Sequence, residues 1–280
     1  MYSAPMKTTE NVQLEVRDTI AYVSLNRPDK HNGLDEDMMI SLIRTARCIK
    51  QDKSIRCVIL QGNGPSFCAG LDFGYVAKHP FMVPKFFSKF PWSKANTFQR
   101  AAHVWRELPV PVIAVVHGNC FGGGMQIILA CDYRIAEPSA QLSILEMKWG
   151  LIPDMSGMVT LSRLTRVDIA QELTMTGRFF SGQEGAEYGL ISKVSATPFV
   201  DAEALARVIC EKSPDAIAAT KFLFKKTWKK DTRMALLWER LTQLRLFAGK
   251  NQRIAMYNAL NKEKEPKPFM TRGSFKRFSS

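Results

Sequence analysis

The sequence predicts an α/β fold of stacked β-β-α units with parallel strands, followed by a helical C-terminal region. Three observations carry this: short apolar runs ended by glycine- or proline-rich turns, amphipathic stretches at helical spacing between them, and a mostly helical pattern from about Gly157 onward. Residues 11–26 read as two strands, VQLEVRD and IAYVSLN, turned at Asp18-Thr19, and Arg27-Pro28-Asp29 stops the second. Met38, Met39, Leu42, Ile43, Ala46 and Ile49 recur at helical intervals over Asp35 to Lys50, with Asp35 near the start. Cys57 to Gln61 is a short buried strand closed by Gly62-Asn63-Gly64-Pro65. Ser66 to Leu108 reads as a loop and then a helix, rich in aromatics (Phe73, Tyr75, Phe81, Phe86, Phe87, Phe90, Trp92, Phe98) that suit either a core or the lining of a lipid-like substrate site. Pro111 to His117 is a second buried strand, Gly118 to Gly124 a glycine-rich turn and Met125 to Cys131 a helix, with strands again at Asp132 to Ala136 and Gln141 to Ser143. No linker or repeat interrupts the chain; the α/β core is placed at residues 1–205, and the helical region with its basic tail at residues 206–280.

Composition narrows the function classes. With 46% hydrophobic and 23% charged residues, a chain of 280 residues has an ordinary globular composition and can bury a sizeable core. The longest apolar runs, Val110 to Val116 and Met125 to Ala130, are far shorter than the ~20 residues of a membrane span. Met1 to Glu10 lacks the apolar core of a secretory signal, and Phe278-Ser279-Ser280 is no peroxisomal address, so a cytoplasmic location is expected. The six cysteines (Cys48, Cys57, Cys68, Cys120, Cys131, Cys210) show no CxxC pairing and lie in apolar stretches, which fits buried thiols; His31, His79, His103 and His117 are scattered, so no metal site is expected. The net charge of +13 suits a polyanionic partner, and much of it lies in Lys221 to Arg233 and Lys262 to Arg277. Without an aromatic-basic motif these clusters do not point to nucleic acid.

Two loops carry the chemistry. Gly118-Asn119-Cys120-Phe121-Gly122-Gly123-Gly124 follows a buried strand and opens a helix, where unpaired N–H groups and close backbone approach make an anion or oxyanion site. It is neither GxGxxG nor a P-loop. Ser66-Phe67-Cys68-Ala69-Gly70-Leu71-Asp72 ends the earlier buried strand in the same way.

Together these loops resemble the crotonase, or enoyl-CoA hydratase/isomerase, family, through Phe67 to Asp72, Gly118, Gly122 to Gly124, Cys131 and Asp132. The resemblance extends to Asn26-Arg27-Pro28 with Lys30, to CVILQG, and to Glu146 through Pro153 with Thr176-Gly177, covering most of residues 11–200. It implies a spiral of β-β-α units and an acyl-CoA thioester as substrate, with coenzyme A part of the substrate and no separate cofactor. The Leu71 and Gly123 amides match the oxyanion-hole donors. Ala69 and Gly70 match the adenine-binding loop, flanked by Asp72 and Gly122, with Arg27 and Lys30 as phosphate candidates. Homotrimers or hexamers are implied, with the late helices as interface material.

The acid-base positions bear on the reaction. Hydratases of the family use two glutamates; the later is Glu146, but the earlier position holds Gln126, which hydrogen-bonds without accepting a proton. Asp154, eight residues beyond Glu146 and past Gly150 and Pro153, resembles the second carboxylate of the dienoyl-CoA isomerase branch, and equally fits a helix cap before Gly157. Double-bond isomerisation through Glu146 and Asp154 is the leading expectation. Hydration in which Glu146 alone does the proton work while Gln126, at the substrate, helps hold the water, nucleophilic attack by Asp154 as in the dehalogenase branch, and nucleic-acid binding by the basic clusters are the alternatives.

Overall fold

The computed structural model describes residues 10–89 and 91–273. The first nine residues, Phe90 and the end of the basic tail, about which expectations were stated above, lie outside them. β1 (Val12–Arg17) and β2 (Ile20–Leu25) form the expected hairpin, with Asp18 and Thr19 at φ 48° and 68°. Asp35 caps α1 (Glu36–Gln51), accepting from the Met38 N–H at 2.8 Å, and β3 (Cys57–Gly62) follows parallel to β2. Where one helix was expected after the Ser66 loop there are three, α2 (Phe73–Lys78), α3 (Met82–Phe87) and α4 (Thr97–Glu107). Pro80 and Pro91 stand between them, and a proline breaks the helical ladder and disfavours helix at the residue before it.

Next come β4 (Val112–Val116), β5 (Asn119–Phe121), α5 (Gly123–Leu129), β6 (Tyr133–Ala136), β7 (Gln141–Ser143) and a 3-10 turn, Leu145–Trp149. α6 (Gly157–Leu164), α7 (Val167–Thr176), β8 (Phe180–Ser181), α8 (Gly182–Glu187), β9 (Lys193–Val194), α9 (Pro198–Cys210), α10 (Pro214–Thr227), α11 (Thr232–Phe247) and α12 (Lys250–Leu260) complete the order. No helix among the described residues is long and apolar enough to cross a membrane.

One sheet has the order β1-β2-β3-β4-β6-β9 and is parallel from β2 onward; the other is β5-β7-β8. The stretch expected to be only a turn, Gly118 to Gly124, thus contains β5, which pairs in parallel with β7. This pairing reveals the repeat: β4 and β6 are neighbours in the first sheet, and the strands that follow each of them, β5 and β7, are neighbours in the second. Single bridges Leu34↔Leu71 and Cys68↔Cys120 carry the second layer back through the earlier units, so the Ser66 loop is itself a second-layer segment.

The central strands of the first sheet, β2, β3 and β4, are buried on both faces, as expected of parallel strands whose crossovers cover them. Ala21, Val23, Leu25, Val58, Leu60, Val112, Ala114 and Val116 join the main core with α1, α4 and α5. The alternate residues Ile20, Tyr22, Cys57, Ile59, Ile113 and Val115 pack against Ala202 and Ala206 of α9. The boundary expected at 205/206 therefore needs correcting, since it cuts a continuous helix that seals the sheet. α10 is tied in by Lys221, whose ammonium donates to Asp132 Oδ2 at 2.6 Å and to the Val110 carbonyl at 2.8 Å, while Asp132 Oδ2 also accepts from the Val112 N–H at 2.8 Å. The Lys221 side chain is only 9% exposed, so its loss strands a carboxylate and a carbonyl. Lys221→Met is expected to lower unfolding stability by ~2 kcal/mol in denaturant titrations; an unchanged midpoint would show that the clamp contributes nothing.

Candidate active site

The site forms where the two loops touch, and small residues permit the contact. A Cβ built on Gly124 would lie 2.7 Å from both Cβ and the carbonyl oxygen of Cys68. Gly70 has φ +89°, and a Cβ there would lie 2.9 Å from the Phe121 oxygen and 3.6 Å from the Gly123 nitrogen. Any side chain at either position would wedge the loops apart.

Bridge geometry aims the two amides. The Leu34 N–H donates to the Gly70 carbonyl at 2.8 Å and the Asp72 N–H to the Leu34 carbonyl at 3.0 Å, so the residue between them, Leu71, turns its N–H to the opposite side. Gly123 is the first residue of α5, where an N–H has no partner within its own helix. Neither amide has an acceptor among the described residues, while Gly122 N–H donates to Ser143 at 3.0 Å and Ala69 N–H to His31 at 2.9 Å. The arrangement presents two N–H groups to one developing negative oxygen.

Glu146 stands beside them in the 3-10 turn, and a Cβ on Gly122 would lie 3.4 Å from its Oε1. That oxygen accepts from Gln126 Nε2 at 2.6 Å, while Oε2 is buried without a hydrogen-bond partner among the described residues. Gln126, on the buried face of α5, is fixed at its other end as well: the Gly157 N–H donates to its Oε1 at 2.9 Å. An N–H facing the amide requires oxygen there, which leaves the NH2 for Glu146 and settles the orientation. Gln126, expected at the substrate, orients the carboxylate through one of its N–H groups.

Burial chiefly raises the Glu146 pKa, and the Asp154 carboxylate adds to the rise; its own amide and Gln126 pull the other way without cancelling it. Burial likewise raises Asp154. Burial thus favours the neutral form of each carboxyl, and the Asp154 charge adds to this at Glu146. Asp154 is not the helix cap, because that position is Ser156, at φ 71° with no side-chain cap. Burial pushes the Cys68 thiol up to about 12, which leaves it a poor nucleophile despite its place in the loop.

Arg27, the other phosphate candidate, has partners within the protein. Its guanidinium pairs with Asp35 at 2.9 Å and Asp72 at 3.4 Å and donates to the Gly33 carbonyl at 2.7 Å, which braces the loop. Asp72 also caps α2, accepting from the Tyr75 N–H at 2.9 Å. Lys30 is exposed and keeps its place as a phosphate candidate. Sequence reasoning missed Asn32, a fully buried residue at φ 55° whose amide donates to the Asn63 and Ser66 carbonyls at 3.0 and 2.9 Å. The polar turn His31-Asn32-Gly33 was its only signal, because asparagine tolerates the left-handed region.

The family profile described as Enoyl-CoA hydratase/isomerase matches residues 15–270. Hydroxycinnamoyl-CoA hydratase-lyase of Pseudomonas fluorescens is 31% identical, over 85% of this chain and 87% of its own length. The mitochondrial Delta(3,5)-Delta(2,4)-dienoyl-CoA isomerase of Dictyostelium discoideum is 31% identical, over 75% of each chain. Among solved structures, an enoyl-CoA hydratase from Bacillus anthracis superposes with a TM-score of 0.82 at 29% identity, covering 92% of this chain and 98% of that one. On sequence and fold alike, this chain belongs to the enoyl-CoA hydratase/isomerase family.

Proposed function

We propose that this acyl-CoA enzyme isomerises the double bonds of an unsaturated acyl-CoA, with Glu146 and Asp154 as the proton-transferring pair. The observation that carries the reading is Gln126, fixed between Gly157 and Glu146, where a hydratase of the family needs a second ionisable group. The thioester carbonyl sits on the Leu71 and Gly123 amides. One carboxylate of the pair, ionised, takes a proton from the acyl chain; the electron pair moves into the thioester as an enolate, and the two amides hold its oxygen. The partner carboxyl, protonated, returns a proton at a distant carbon as the electrons move back along the chain. Charge and protons balance with no water consumed and no cofactor. Ala69, Gly70 and Lys30 are assigned to the coenzyme A moiety. Similarity to a dienoyl-CoA isomerase supports the reading, while similarity to hydratases of the family keeps water addition by Glu146 as the alternative.

We also propose a homotrimer or a pair of trimers. Val167 and Met175 of α7, Trp228 at the end of α10 and Leu260 of α12 are 72%, 64%, 62% and 77% exposed, a cost in water that burial against other copies removes. Light scattering after gel filtration is expected to give three or six times the 31.6 kDa chain mass; a monodisperse monomer would refute this assembly.

Purified enzyme with a 3,5-dienoyl-CoA and with crotonyl-CoA, followed spectroscopically, separates the two reactions. The diene is expected to convert and crotonyl-CoA to remain. Glu146→Gln and Asp154→Asn are each expected to reduce diene turnover by about 10²–10⁴-fold; full activity in both variants ends the proposal. The acid limb of kcat/KM reports the ionised base. Because the folded carboxyl pKa is raised, activity is expected to fall as pH drops through a value above the usual carboxylate range of about 4. A limb at the ordinary value would mean that neither buried carboxylate is the base.

A further inference from the structure

Two aromatic side chains flank the proposed chemistry without belonging to the core. Phe73 lies two residues beyond Leu71, and Trp149 lies three beyond Glu146 in the same 3-10 turn. In a 3-10 helix, residues three apart eclipse, so Trp149 projects on the same side of the turn as the carboxylate. The rings stack with centroids 3.9 Å apart and planes at 23°, closing the gap between the segment that supplies an oxyanion amide and the turn that supplies the base. Neither ring is among the residues packed into the main apolar core, and Trp149 is 49% exposed. The turn that bears it ends at Gly150, φ +67°, where an added Cβ would meet nothing within 4 Å, and the next two residues, Leu151 and Ile152, are 47% and 68% exposed. A stack held by so little surrounding packing opens readily.

We propose that Phe73 and Trp149 form an aromatic gate over the reacting carbons, which selects acyl groups carrying a flat conjugated segment, aryl or polyenoyl, over saturated ones. The inference rests on the acyl-CoA reading of the site. Opening the gate breaks one ring–ring contact, worth about a tenfold population ratio between closed and open forms. A planar π-system entering beside Glu146 takes the place of Phe73 against the indole and recovers that contact. A saturated chain recovers apolar burial but no stacking. The same closure keeps water from Glu146 Oε2, the buried oxygen without a partner. If the stack were only surface packing, its loss would affect all acyl groups alike.

Binding separates these cases without depending on turnover. Dissociation constants for trans-cinnamoyl-CoA and octanoyl-CoA are measured by calorimetry on the wild-type protein, Trp149→Ala and Trp149→Phe, with thermal melts confirming that each is folded. The wild-type protein is expected to favour cinnamoyl-CoA by about tenfold. Trp149→Ala is expected to abolish the preference, and Trp149→Phe, which keeps a ring, to retain most of it. An unchanged ratio in Trp149→Ala overturns the gate. If neither thioester binds the wild-type protein, the acyl-CoA reading of the site fails, and the gate with it. A tenfold preference in a protein that leaves the dienoyl-CoA unconverted would support the gate and refute the isomerase alone.

Discussion

Everything at this site depends on how closely two backbone segments approach each other. With Gly124 against Cys68 and Gly70 against the Phe121 carbonyl, the second-layer segments pass at distances no side chain tolerates. That proximity brings the Leu71 and Gly123 amides onto one target, and rigidity there matters because catalytic dipoles act through preorganisation. The supporting parts follow from the same need. Asn32 fastens the Ser66 loop, and Arg27 ties Asp35 to Asp72, so the caps of α1 and α2 share one cation. These polar groups hold the backbone of the Ser66 loop.

Much of this was legible in the residues. The parallel strands appeared as short apolar runs because both faces are buried, and Asp35 marked the start of α1 because a carboxylate satisfies amides that a helix leaves open. The glycine loops signalled close approach because few other needs call for three glycines in a row. What stayed hidden was tertiary. β5 is three residues long and borrows its pairing from β7, so no local periodicity marks it. The roles of Arg27 and Gln126 depended on partners distant in sequence, Asp72 for one and Glu146 and Gly157 for the other. Residue type alone suggested a phosphate ligand and a water ligand. Each also faces a group that the fold brings within hydrogen-bonding distance.

Gln126 also shows how one atom exchanged for another can redirect a scaffold. A glutamate there would face the Gly157 N–H equally well, but would place a second negative charge against Glu146. The carboxamide keeps the geometry and removes the charge. It leaves Glu146 to interact with Asp154 on the far side of the turn, with both carboxyl pKa values raised by burial.

The Lys221 clamp bears on how the molecule is made. Asp132 lies in the middle of the chain and its cation lies 89 residues later, on a helix that emerges from the ribosome after both sheets. Contacts of such sequence separation close late and slow folding. Until α10 docks, the carboxylate that orders the start of β4 lacks its direct ion-pair partner, and the nascent core remains open on that side. Completion of the fold is thereby linked to helices that also carry exposed apolar residues, so the chain presents those residues in the step that locks its core.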